Sequence, residues 1–133
     1  MPLGDPNGGN FEYTVEGLPE SIFAMRVPVT DLDRSVDFYT EMLGLRLLGR
    51  DAVHAYMARG SCRVILEISG DVGVDLGVYL TVDSPYNTHR RLVDEGVTFH
   101  TDPVRGPFGT STGFFDPDRN ILRVIEGGAE FRL

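Results

Sequence analysis

Ile22-Phe23-Ala24-Met25-Arg26-Val27-Pro28-Val29-Thr30-Asp31-Leu32-Asp33-Arg34-Ser35-Val36-Asp37-Phe38-Tyr39-Thr40-Glu41-Met42-Leu43-Gly44 reads as a β-run that leads directly into a punctuated helix. Asp31 or Asp33 suits the helix N-cap, Val36, Tyr39 and Leu43 recur at helical spacing, and Gly44 is a C-terminal stop. The pattern then restarts. Leu76 to Val82 reads as a strand and Ser84 to about Glu95 as a helix, with Ser84 as cap, Pro85 at the first helical position and Gly96 as the stop. Three β-runs follow each helix: Leu45 to Arg50, Val53 to Met57 and Cys62 to Ser69, then Val97 to Thr101, Thr112 to Phe115 and Ile121 to Glu126. The sequence therefore predicts an α+β domain of two βαβββ modules, at about 21–70 and 76–127, whose curved mixed sheet surrounds a concave cavity. Residues 1–20 are expected to form a mobile tail, although Phe11 to Val15 alternates like a short strand.

Side chains alternate across a strand, so both faces of the four outer runs can be read directly. Phe23, Met25 and Val27, then Val64, Leu66 and Ile68, then Val78, Leu80 and Val82, then Leu122 and Val124 give four aliphatic faces that must pack beneath the helices. The opposite faces are mixed. They carry Arg26, Arg63, Glu67, Tyr79, Thr81 and Arg123 beside Ile65, Ile121 and Ile125, the composition of a ligand cavity with an apolar lining and a few placed polar groups. A solvated outer sheet face would show the same alternation.

Composition narrows the function. The net charge of −8 argues against nucleic acid, which needs clustered basic residues. No run is long and apolar enough for a membrane span, and a single cysteine, Cys62, excludes an internal disulfide and points to a reducing, cytoplasmic setting. Histidines aside, all 12 basic residues are arginine, so lysine Schiff-base chemistry is excluded and arginine is the only permanent cation that could hold an anionic group.

Val27 to Tyr39 with Leu43-Gly44-Leu45, and Gly113-Phe114-Phe115-Asp116-Pro117-Asp118 followed by Ile121 to Glu126, resemble the opening and closing passages of the vicinal-oxygen-chelate superfamily. That group includes glyoxalase I, bleomycin-resistance proteins and extradiol dioxygenases. The resemblance covers about residues 22–127 and implies the fold more than the reaction. It also implies a metal ligand on each of four strands in the metal-dependent members. Here those positions fall on Ala24, Glu67, Gly77 and Arg123, so one carboxylate survives and a guanidinium replaces another.

The resulting expectation is a metal-free protein without cofactor. It would bind a small organic ligand through Arg26, Arg63, Glu67, Tyr79, Arg123 and His54, with Glu67 paired to Arg26 or Arg123. The resemblance further implies a homodimer, because the superfamily forms cavities between two modules. The alternative is a glyoxalase-like lyase or dioxygenase-like enzyme, with a divalent metal at a rearranged site using Glu67, His54, His100 or Glu126. His89 is expected to face solvent, Cys62 to be a packed thiol, and the Gly106 to Ser111 segment to be a turn or a lid carrying Phe108.

Overall fold

Each helix begins where its sequence says it should. In the computed structural model, which describes residues 16–127, α1 spans Leu32–Leu43 and α2 spans Pro85–Asp94. Asp31 caps α1 by accepting from the Arg34 amide, and Ser84 caps α2 by accepting from the Asn87 amide. Gly44 closes α1 at φ +69°, a left-handed turn that side chains resist. Most of the expected tail, and the whole Phe11 to Val15 run, lie outside the described residues.

The strands are β1 (Met25–Val29), β2 (Arg46–Arg50), β3 (His54–Arg59), β4 (Cys62–Ile68), β5 (Asp75–Val82), β6 (Phe99–Gly106), β7 (Gly109–Phe115) and β8 (Ile121–Glu126). They form two mixed four-stranded sheets with the same layout, β1-β4-β3-β2 and β5-β8-β7-β6. In both, the first and last strands of the module pair in parallel and the rest antiparallel. The duplication read from the sequence is thus a duplication of topology.

Three boundaries differ from the sequence reading by three residues or more, and others by one or two. β1 starts at Met25, where pairing with Val64 of β4 begins, and Ile22 and Phe23 are left exposed ahead of it. β6 runs on to Gly106 despite Pro103, and β7 begins at Gly109 rather than Thr112. β6 is an edge strand, where proline costs no ladder bond, and its pairing with β7 shifts register between Thr101 and Val104 to pass it.

Apart from Phe23 ahead of β1 and Ile68 at the end of β4, which are exposed, the four aliphatic faces pack into one core shared by both modules, in which Val27, Val29, Val64, Leu66, Leu122 and Val124 are buried with Tyr39, Leu92 and Phe114. Burying each such side chain is worth about 1.5–3 kcal/mol, so the helices are held by these faces rather than by propensity. The junction between modules is polar. Tyr39 donates to Asp116 Oδ2 at 2.8 Å, Asp118 accepts from the Thr30 amide at 3.1 Å and from Arg34 at 3.0 Å, and Asn120 Nδ2 donates to the Pro28 carbonyl at 2.8 Å. Burial, reinforced by the Asp116 carboxylate, raises the Tyr39 pKa well above that of an ordinary phenol. Arg119 occupies the left-handed position of this turn at φ +66°, and its guanidinium lies 4.1 Å from the Phe115 ring centroid.

One core atom is out of keeping with this accounting. Ser35, fully buried on α1, has no hydrogen-bond partner for its hydroxyl among the described residues. Ser35→Ala removes an unsatisfied polar atom and improves helix propensity, and is expected to raise unfolding free energy by about 1 kcal/mol. Urea denaturation measures it, and a loss of stability would contradict the assignment.

Candidate functional site

The mixed faces carry two separate charge clusters, one on each sheet. On the first, neighbouring strands β1 and β4 place Arg26 against Glu67 Oε1, while β3 brings His54 Nε2 to within 2.9 Å of Glu67 Oε2. The other ring nitrogen of His54 lies 3.2 Å from Asp51, whose same oxygen accepts from the backbone amides of Val53 and His54. Tyr56 stacks on the imidazole at 5.8 Å between ring centroids. The result is a chain Asp51, His54, Glu67, Arg26 in which each charge faces its opposite.

The electrostatics follow from those contacts. Its hydrogen bond to Glu67, with Asp51 adding to it, lifts the pKa of His54 above the ordinary 6.5, while the contact with His54 and then that with Arg26 hold Glu67 below 4.5. The stability supplied by His54 is therefore complete below pH 6.5 and lost as pH rises through its elevated pKa. That supplied by Glu67 is present above pH 4.5 and lost as pH falls through its depressed one, so the pair is strongest between the two values. An NMR titration of the His54 ring is expected to show a midpoint above 6.5 that falls back in Glu67→Gln. A wild-type midpoint at or below 6.5 would contradict the geometry.

On the second sheet, Arg123 of β8 donates to Asp75 of β5 at 2.5 Å and lies 5.9 Å from the Tyr79 ring centroid. Arg123, followed by the Gly77 amide, holds the Asp75 carboxyl down to about 2. β5 is irregular here: Asp75 opposes Ile121 and Tyr79 opposes Arg123, so three residues of β5 face one of β8, with Gly77 at φ +69°. Beside this pair lies a hollow of about 630 Å³ lined by Tyr79, Pro107, Phe108, Ser111, Ile125 and Glu126. Phe108 stands in the two-residue turn between β6 and β7 and is exposed over it.

The six candidate ligand-binding residues are therefore divided. Arg26, Glu67 and His54 come together, Tyr79 and Arg123 come together on the other sheet, and Arg63 stands at the β3–β4 hairpin, donating to the Gly60 carbonyl. Of the two pairings open to Glu67, the structure has Arg26, and Arg123 takes Asp75 instead. Asp51 and Asp75 were missed by sequence reasoning: Asp51 lies in a loop, and Asp75 precedes the first aliphatic residue of β5. His89 is half-buried against Phe99, at 4.4 Å between centroids, rather than solvent-facing, because α2 packs against β6. The Cys62 thiol is partly buried, and that burial raises its pKa.

The donors do not suit a divalent ion at the four positions where the resemblance implies ligands. Ala24 and Gly77 offer no side-chain donor, both Glu67 oxygens are engaged, and Arg123 is a bound cation. Among the described residues no three His, Cys, Asp or Glu side chains converge as a metal set, so Glu67, His54, His100 and Glu126 do not assemble one.

The model of the Glyoxalase/Bleomycin resistance protein/Dioxygenase superfamily matches residues 21–124. Among solved structures, the chain is similar to TnmS3, an antibiotic binding protein from Streptomyces sp. CB03234, at 24% identity and TM-score 0.69, covering 83% of this chain and 98% of that one. A bleomycin resistance determinant encoded on the transposon Tn5 is 22% identical, with TM-score 0.65 and coverage of 80% and 98%. Lactoylglutathione lyase from Agrobacterium tumefaciens is 18% identical, with TM-score 0.71 and coverage of 83% and 96%. No curated protein sequence matches the chain.

Proposed function

Because the chain belongs to the Glyoxalase/Bleomycin resistance protein/Dioxygenase superfamily, we propose that it captures a small organic molecule on its mixed sheet faces without a metal ion. The observation that carries this reading is the hollow beside Tyr79. Its volume of about 630 Å³ suits a drug-sized molecule, and its lining pairs two aromatic rings and aliphatic groups with only Ser111 and Glu126 as polar side chains. The adjacent Arg123 and Asp75 charges are already neutralised by each other, so the hollow presents its two rings and, at one point, the Glu126 carboxylate. Two of the structural relatives, named as an antibiotic binding protein and a bleomycin resistance determinant, lend the ligand class, an antibiotic, and the Tyr79 and Phe108 rings of the hollow favour one with an aromatic body.

Dimerisation belongs to the same reading. Arg26, Tyr56 and Tyr79 stand exposed on the open faces of the two sheets, and a second copy would enclose what one chain leaves open to water. A reducing cytoplasm suits the free Cys62. No helix among the described residues is long and apolar enough to cross a membrane.

Isothermal titration with metal-free bleomycin and a panel of polycyclic aromatic antibiotics, in chelator, tests the proposal. Saturable binding of a panel member is expected. Binding that appears only after a divalent ion is added would overturn the metal-free reading and favour the lyase or dioxygenase alternative.

A further inference from the structure

A second hollow, of about 440 Å³, lies at the hairpin end of the first sheet, lined by Gly44, Arg46, Leu48, Ala58, Arg59, Gly60 and Arg63. We propose that it is an oxyanion site that takes the phosphoryl group of a small phosphomonoester, held by Arg46, Arg59 and Arg63. It lies on the other sheet from the Tyr79 hollow and is independent of ligand capture there.

The first argument is charge accounting. The chain has 20 acidic residues to 12 arginines, and Arg26, Arg34, Arg50 and Arg123 each pair with a carboxylate. Arg46, Arg59 and Arg63 have no carboxylate partner among the described residues, and no acidic residue lines their hollow. Three cations thus share one cavity in a protein that has acid to spare. Their mutual repulsion is a standing cost that a dianion would remove, whereas a single carboxylate would answer fewer of them.

The second argument is placement. Arg46 of β2 opposes Ala58 of β3, which opposes Arg63 of β4, so the two arginines flank Ala58 in one row across the sheet, and Arg59, the next residue of β3, lines the hollow from the Gly44 side. Ala58 is small and buried, which leaves a low floor between two long cationic side chains. Arg63 is steadied by its bond to the Gly60 carbonyl. Arg59 lies over Gly44, where an added Cβ would come within 3.3 Å of its Nη1, so the bare glycine leaves room for the guanidinium. The Arg63 guanidinium, held at the hairpin in this way, is preorganised for contact with phosphoryl oxygens, with Arg46 and Arg59 beside it in the same hollow.

The test is an NMR titration of the arginine Nε–Hε signals of the full chain with inorganic phosphate, with phenyl phosphate, and with sodium chloride at matched ionic strength. Saturable shifts of Arg46, Arg59 and Arg63 are expected with both phosphates and not with chloride. Arg46→Gln and Arg59→Gln, both exposed positions, should each weaken binding about tenfold, and Arg105→Gln on β6 should leave it unchanged. Tighter binding of phenyl phosphate identifies a phosphomonoester site; equal or tighter inorganic phosphate keeps the phosphoryl site but overturns the ester as its occupant. Shifts that do not saturate, that chloride reproduces, or that survive Arg46→Gln overturn the proposal.

Discussion

Asn120→Ala is expected to lower the free energy of unfolding by about 4 kcal/mol, because it removes four side-chain hydrogen bonds, two buried and two part-buried, worth about 1 kcal/mol each. Asn120 is fully buried, and its two side-chain atoms are fully used. Oδ1 accepts from the amides of Gly73 and Val74 at 3.0 and 3.1 Å, and Nδ2 donates to the Pro28 carbonyl at 2.8 Å and to Asp116 at 2.9 Å. These partners lie in β1, in the linker between modules and in the turn before β8, so one amide joins all three. Losing about 4 kcal/mol is severe where whole domains are stable by about 5–15 kcal/mol. Urea unfolding should show a lower midpoint with an unchanged slope. Asn120→Asp is the sharper control, since it keeps the acceptor but sets a second carboxylate against Asp116 and the Pro28 carbonyl. Near-wild-type stability in both variants would mean that the junction is held by the apolar core alone.

What was legible in the sequence was whatever is encoded locally. Asp31, Ser84, Pro85 and Gly44 act within a few residues of themselves, so both helices lie where their caps place them. The face of each strand was legible for the same reason: alternation needs no knowledge of the partner, and Val64 and Leu66 are buried while Arg26 is not. Pairing was not legible. That Arg26 rather than Arg123 reaches Glu67 depends on β1 adjoining β4, while β8 adjoins β5 in a different sheet. Asp75 faces Arg123 only because β5 bulges at Gly77, and β6 survives Pro103 only because it is an edge. Arg26 and Arg123, which sequence alone offered as grips for an anion, therefore each spend their charge on a carboxylate.

That redistribution of charge leads to the largest functional effect expected, a loss of ligand affinity of about thirtyfold in Tyr79→Ala, or about 2 kcal/mol from lost stacking and apolar burial. Tyr79 is the aromatic side chain shared by the hollow and the charge pair. Its ring lines the cavity with Phe108, and the Arg123 guanidinium lies 5.9 Å from its centroid. It is also more than half exposed, at 56%, so its removal should leave the fold intact. Phe108→Ala should produce a smaller loss, because a turn residue between β6 and β7 is less firmly placed than one on a paired strand. Arg123→Gln separates ring from charge: it frees Asp75 to titrate from about 2 back toward 3.8, and it should change affinity little for a neutral aromatic ligand. Calorimetric titration of the three variants with the ligand that binds the wild-type protein checks the order. If Arg123→Gln abolished binding while Tyr79→Ala left it intact, the hollow would be recognising charge, and capture through aromatic surface would have to be abandoned.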